Sequence, residues 1–462
     1  MNGELKFILI TDLHYYDPAL GISGKAYDEL SGTDMKCLAE SGAIIDAYFD
    51  KIAQDKDFNI VLIAGDLSCN GAKESHLGLL PKLRRLKEAG KRVFLITATH
   101  DFYLEGNGTG CAERCDGDRL SHATRTGREE LIDLYREFGL DEAISFHAES
   151  HSYCVSLCEG YRLLCLNDDG DKIFCGYSES QLEWIDSMIK EAHKAGDYIF
   201  AMTHHPVLPP SPIYPLFSQR DMLGDYEKTA CFLADRGVKF IFTGHTHMQN
   251  IAKYTTPAGN DFYDINTACL VGYPSVMRRV VMTGSEVKIT SDTVTDIDWD
   301  LKGMTFEEYT KAQFGCLLND IFDSLANDYD RFANVLAPGF SKTPEEMYKM
   351  KFLLYPFGKL LNSITLGGLG KLLFVSGSVD KSIRKVKLKD FILSIIQNIY
   401  YGDEPYTPDT AEYKAFCAAA GRAKSLLKLK KGTEDIAKII DVIRDGVLYD
   451  AAPPDWNAVL PK

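Results

Sequence analysis

Five short polar motifs in this chain carry side chains of the kind that bind metal ions. They are Asp12-Leu13-His14, Gly65-Asp66, His100-Asp101, His204-His205 and Gly244-His245-Thr246-His247. Carboxylate oxygens and neutral imidazoles suit manganese, iron or zinc, whereas thiolates would select softer sites. Two such ions about 3.5–4 Å apart can clamp a phosphoryl group and hold a bridging hydroxide. His245 and His247, two residues apart just past an apolar run, point to one side, where imidazoles find few partners in a core.

Each motif follows an apolar run of strand length: Phe7 to Ile10, Ile60 to Ile63, Val93 to Ile96, Tyr198 to Met202 and Phe240 to Phe242. Side chains just past the ends of parallel strands converge on one crevice of an α/β sheet. Helical patterns alternate with these runs. One spans Asp34 to Gln54, with Ile44, Ile45, Tyr48, Phe49 and Ile52 at 3.6-residue spacing; another runs from Ala72 to Ala89 and stops at Gly90. This rhythm predicts a parallel sheet with right-handed crossovers. Glu105 to Gly127 is rich in Gly and polar residues and reads as a long loop over the site. Strands return at His151 to Leu157 and Tyr161 to Leu166, followed by a helix from Ser180 to Lys194. After His247 the pattern is strands alone: Asn250 to Tyr254, Phe262 to Cys269, Ser275 to Met282 and Glu286 to Asp292. These predict a second, largely antiparallel sheet. From about Thr305 the texture is helical, and all eleven histidines lie at or before His247.

In chain order the motifs resemble those of the calcineurin-like metallophosphoesterase family: D-x-H, G-D, G-N-H-D/E, H (often H-H-P) and G-H-x-H. The resemblance covers residues 4 to 295. It implies an α/β four-layer α/β/β/α sandwich of two mixed sheets over residues 1–296, with an insertion at 102–150 over the site. Residues 297–462 would form a C-terminal all-helical domain acting as a cap or an interaction module. It also implies two divalent transition-metal ions (Mn, Fe or Zn). Asp66 would bridge them, with Asp12, His14 and His247 on the first and His204 and His245 on the second. Thr99 stands where the family has a metal-binding Asn. A Thr hydroxyl is shorter and a poorer ligand than a carboxamide, so a weaker second metal is expected.

His100 and Asp101 are the expected catalytic pair. A carboxylate would fix the tautomer of the imidazole and raise its basicity, leaving it to bond a phosphate oxygen or protonate the leaving group. His205, Asn70, Tyr15, Phe102, Tyr214 and Arg220 are candidate substrate contacts. The aromatics among them could stack on a nucleobase. The segment from Gly65 to Asp101, with Asn70-Gly71 and Lys73-Glu74-Ser75-His76, is similar to bacterial phosphodiesterase-type members of the family. The expected activity is therefore hydrolysis of a phosphate ester by in-line attack of a metal-bridging hydroxide, a phosphodiester in preference to a monoester. The alternatives are a phosphomonoesterase of the same family and a catalytically weak metal-binding scaffold.

Bulk properties narrow the partners. At 462 residues two domains are the default. A formal charge of −15 argues against an extended nucleic-acid surface but leaves room for a small phosphate ester, such as a nucleotide. Leu5 to Ile10 runs straight into Asp12, so the N-terminus reads as part of the core and not as a signal peptide. Twelve cysteines in such a chain read as reduced thiols, and a cytoplasmic location follows as an expectation. No run reaches the ~18 apolar residues of a bilayer span. The helical domain could support a homodimer. Its basic stretch Lys381, Arg384, Lys385, Lys387 and Lys389, beside the apolar region Phe352 to Val375, could also suit an anionic membrane surface, although a solvated helix face is the commoner outcome.

Overall fold

The computed structural model describes residues 3–103, 112–168, 175–217, 221–336, 343–427, 434–449 and 453–462. By contacts the chain divides into two compact units. The first comprises Met1–Pro210, Arg220–Gln313 and Pro453–Lys462; the second comprises Ser211–Gln219 and Phe314–Ala452.

The strands in chain order are β1 (Leu5–Ile10), β2 (Ile60–Ile63), β3 (Arg92–Leu95), β4 (Glu113–Asp116), β5 (Arg119–His122), β6 (Ala143–His147), β7 (Ser152–Cys158) and β8 (Tyr161–Cys165). They continue with β9 (Tyr198–Met202), β10 (Phe240–Thr243), β11 (Asn250–Thr255), β12 (Asp261–Asn266), β13 (Met277–Met282), β14 (Glu286–Asp292) and β15 (Asn457–Pro461). One sheet has the order β15-β14-β13-β1-β2-β3, the other β11-β12-β10-β9-β8-β7-β6, and β4-β5 form a separate hairpin. β1, β2 and β3 run parallel, as do β8, β9, β10 and β12.

Alternation along β1 explains the layering. Phe7 and Leu9 point between the sheets, where Phe7 stacks on Phe200 at 5.6 Å and meets Phe242 edge-on at 5.2 Å. Ile8 and Ile10 point the other way, into a core closed by the helices Ser41–Gln54 and Lys73–Glu88. On the far side of the second sheet, Leu164, Ile199 and Ile241 pack with Ile185 and Ile189 of the helix Glu179–Ala195 and Leu233 of the helix Tyr226–Ala234. The result is helix, sheet, sheet, helix, with two mixed sheets.

Three features depart from the sequence reading. The strands after His247 do not make a sheet of their own: β11 and β12 extend the sheet of β10, while β13 and β14 extend that of β1. The stretch read as one long loop contains the β4-β5 hairpin, and the helix Arg128–Tyr135 follows it; residues 104–111 lie outside the described residues. The division between units also differs from a cut at 296/297. It falls inside the helix Phe306–Asn327, and the chain end returns to the first unit, where β15 pairs with β14 and sets Leu460 opposite Val287. The buried Ala458 and Leu460 alternate with exposed Val459, a two-residue period too short to stand out beside the helical segments.

The second unit is helical. It contains Pro344–Ser363, Leu388–Tyr401, Ala411–Leu427 and Glu434–Gly446. The first of these begins with a capping box, in which Thr343 and Glu346 satisfy each other's backbone N–H groups. No helix among the described residues is long and apolar enough to cross a membrane.

Leu460 is 4% exposed and packs between the sheets, whereas Val459 is 61% exposed. Leu460→Ala should therefore lower the unfolding free energy by roughly 2–4 kcal/mol. Val459→Ala should change it by less than about 0.5 kcal/mol in the same urea titration. Equal effects would contradict the placement of β15.

Candidate metal centre

Backbone conformation turns the motif side chains into one crevice. Asp12, His14, Asp66, Asn70, His245 and His247 all have positive φ, between 36° and 68°. L-residues avoid this region at a cost of about 1–2 kcal/mol each, and such strain gathers where a site demands it. Two glycines permit the close approach of the loops. A Cβ on Gly65, at φ 95°, would lie 2.8 Å from His204 Nδ1; one on Gly244 would lie 2.1 Å from Thr11 Oγ1 and 2.5 Å from Asp12 Oδ2.

The donor atoms converge around Asp66. His204 Nε2 is 3.0 Å and His14 Nε2 3.6 Å from Asp66 Oδ2. His14 Nε2 and His247 Nε2 are 3.1 Å apart, and they lie 3.5 and 3.3 Å from Asp12 Oδ1. Of the groups whose donor atoms all lie within 4.8 Å of one another, two contain Asp66, namely Asp12 with His14 and Asp66, and Asp66 with His204 and His245, while a third joins His14 and His247 to Cys269. Donors held at about 2.1 Å from one ion sit roughly 3.0–3.4 Å apart, close to these separations.

Burial makes the arrangement costly without a cation. Asp12 Oδ1, Asp66 Oδ2, His204 Nε2 and Thr99 Oγ1 are buried with no hydrogen-bond partner. The remaining atoms are fixed by neighbours. Asp66 Oδ1 accepts from the His100 N–H at 3.0 Å, and Asp12 Oδ2 accepts from Thr11 Oγ1 at 2.7 Å and the His245 N–H at 3.0 Å. His204 Nδ1 lies 2.7 Å from the Ala64 carbonyl, so it carries a proton and leaves Nε2 aimed at Asp66.

Burial alone would raise both carboxyls. The adjoining imidazoles of His14 and His247 outweigh it at Asp12, and those of His204 and His100 outweigh it at Asp66, so both stay well below the usual carboxylate range. Burial would likewise lower the His204 imidazole, but the Asp66 carboxylate pushes it up to about 9. A cation bound there would displace a proton. The donor set thus fits hard or borderline divalent ions.

A family model for calcineurin-like phosphoesterases matches residues 5–249, which contain the whole arrangement. The chain belongs to the calcineurin-like phosphoesterase family. Its solved structural neighbours include a dimetal phosphatase from Danio rerio, at 14% identity, covering 62% of this chain and 95% of that one with a TM-score of 0.44. Another is a purple acid phosphatase from yellow lupin, at 12% identity over 63% of this chain and 52% of that one, with a TM-score of 0.39. A third is a Haemophilus influenzae NAD nucleotidase, at 11% identity over 79% and 62%, with a TM-score of 0.33. No curated protein matches the chain.

Around this calcineurin-like centre several expected contacts are placed differently. His100 and Asp101 do not pair. His100 Nδ1 lies 2.6 Å from Asn70 Oδ1, while the Asp101 carboxylate accepts the Ser68 and Ala98 N–H groups at 2.8 and 2.9 Å. Asp101 is fully buried and holds the motif loops together. Burial lowers His100 to about 3 and does not raise it, because no carboxylate touches its ring nitrogens. Tyr15 and Phe102 are core residues: Tyr15 packs beside Gly78 and Gly42, and Phe102 is 1% exposed in the same cluster. Tyr214 belongs to the second unit, and Arg220 lies outside the described residues. Thr99 Oγ1 is the unpartnered atom noted above.

Several supports of the centre lie outside the five motifs. Asp168 accepts from Thr203 Oγ1 and the His205 N–H, both at 2.8 Å, and its other oxygen is 2.8 Å from His205 Nδ1. That leaves His205 Nε2 3.3 Å from Cys175 Sγ. Asp168 follows a strand as Asp66 does, and this signal was available. On β12, Asp264 accepts from Val207 N, Leu208 N and Thr243 Oγ1, while Asn266 binds Gly244 O and Thr246 Oγ1. Two polar residues two apart in an apolar strand pin both histidine loops from one face. Lys36 is buried, with Nζ 3.3 Å from Asp34 Oδ2.

The orphaned hydroxyl of Thr99 gives a direct test. Thr99→Asn should tighten binding of one manganese equivalent in calorimetric titration, by about tenfold or more. Unchanged stoichiometry and affinity would contradict a place for residue 99 beside an ion.

Proposed function

We propose that this chain hydrolyses a phosphate ester with two divalent transition-metal ions. Asp12, His14, Asp66 and His247 would hold one ion, and Asp66, His204 and His245 the other, with Thr99 beside it. The observation that carries this reading is the Asp66 carboxylate, buried, short of a hydrogen-bond partner at Oδ2 and shared by two donor groups. Ions held there would lower the pKa of bound water and offset charge on the phosphoryl oxygens.

The chain's own groups have distinct work. Asn70 Oδ1 takes the Nδ1–H of His100, so Nε2 is left as the ring's acceptor, able to receive a proton from a water or hydroxyl at the centre. The rings of His100 and His14 meet edge-on at 5.0 Å, which places His100 next to the first donor group. Asp168 fixes His205, whose ring lies 4.0 Å from that of His245, on the side of the second group. Asp264 and Asn266 limit movement of the loops that carry His204, His245 and His247.

For the substrate we propose a phosphodiester, on the similarity of the segment Gly65 to Asp101. One observation favours a second reading, a monoester. The buried Lys36 ammonium, paired with Asp34 at 3.3 Å, adds positive charge to the surroundings of His14, and such a charge would complement a dianion.

Turnover of bis- and mono-nitrophenyl phosphate with manganese supplied tests both. Wild type should hydrolyse the diester with the higher kcat/KM, and Asp66→Asn should lose about a thousandfold or more on either ester. Lys36→Met should weaken monoester turnover more than diester turnover. Comparable rates for wild type and Asp66→Asn would contradict the proposal.

A further inference from the structure

The helix Pro344–Ser363 is apolar on both sides. Met347, Gly358 and Leu361 share its buried face. On the solvent side, Phe352 is 82%, Leu353 57% and Phe357 48% exposed, at spacings that keep them on one side of the helix. A short helix, Leu366–Leu372, follows, with Leu372 56% exposed. The turn that closes it places Phe374 at φ 60° with its ring 84% exposed. A strained backbone that carries a large aromatic out into solvent is uncommon for a residue with no external partner.

Charge singles out the same stretch. The whole chain is formally −15, yet residues 344–390 carry nine Lys and Arg against four Asp and Glu, a net +5. Lys349, Lys371, Lys385 and Lys387 make no ion pair among the described residues. Lys351 and Lys389 reach Asp330 and Asp323. A stretch that exposes phenylalanine and leucine together with unpaired lysines is complementary to an anionic bilayer surface, with rings at the acyl boundary and ammonium groups at the headgroups. A second copy of this chain would have to bring the same +5 stretch against itself.

We infer that this face of the helical unit docks on anionic lipid membranes, with Phe352 and Phe374 entering the interface and the lysines of 344–390 drawing it there. Binding of this kind is peripheral and reversible, and it falls as salt screens the surface charge.

The test is co-sedimentation of the full chain with phosphatidylcholine vesicles, alone or with about one quarter phosphatidylserine. Wild type should partition onto the serine-lipid vesicles and not onto the neutral ones. The double variant Phe352→Ser, Phe374→Ser should bind about tenfold more weakly or less. Lys385→Glu with Lys387→Glu should weaken binding in the same direction, and about 0.5 M salt should release wild type. All four positions are exposed, so circular dichroism and melting temperature should match wild type. Failure of wild type to bind serine-lipid vesicles, or equal binding by the phenylalanine variant, overturns the inference. So does a concentration-dependent dimer that the phenylalanine variant abolishes while wild type ignores vesicles; that result would assign the face to a second copy.

Discussion

The Asp66 carboxylate, wholly enclosed and ringed by imidazoles, is the constraint around which the first unit is built. One oxygen is satisfied by the His100 backbone; the other faces His14 and His204 with no hydrogen-bond partner. A buried carboxylate costs several kcal/mol unless opposite charge or hydrogen bonds compensate it. Here the His204 imidazole, 3.0 Å from Oδ2, supplies part of that compensation, and under the proposed function a divalent cation on each side of Asp66 would supply the rest. Neutral hydrophobic packing could not, because the surrounding donors are themselves polar and enclosed.

That demand propagates into the backbone. Five of the six donor residues, all but His204, adopt left-handed conformations, and Gly65 and Gly244 bring loops to distances that any side chain would prevent. These local costs are met by the dry core between the sheets, where Phe7, Phe200 and Phe242 interlock, and by hydrogen bonds that hold each loop twice. Asp264 and Asn266 illustrate the division of labour: neither faces the donor groups, yet together they tie the loop after β9 to the loop after β10. A strand in the middle of a sheet is the stiffest available support for such ties.

Much of this was legible in the sequence. Apolar runs of three to six residues followed by Asp or His mark the strands and the side chains that converge on Asp66, because period and punctuation are local signals. Sheet order was not legible. β11 to β14 read alike as strands, and nothing local says that two of them join β10 and two join β1. The chain end was missed because β15 offers only five residues. His100 was paired with its neighbour in sequence, whereas its real partner, Asn70, comes from a loop thirty residues earlier. The same limit hid Asp168, whose partners His205 and Thr203 lie on the next strand's end. Tyr15 and Phe102 are buried in a core cluster, and an aromatic beside a motif looks the same in sequence whether its ring faces the crevice or the core.

Anomalous diffraction from crystals of the manganese-loaded protein tests the central claim most directly. Two peaks about 3.5–4 Å apart, with Asp66 touching both, are the expected result. A single peak, or peaks away from Asp12, His14, Asp66, His204, His245 and His247, would contradict it.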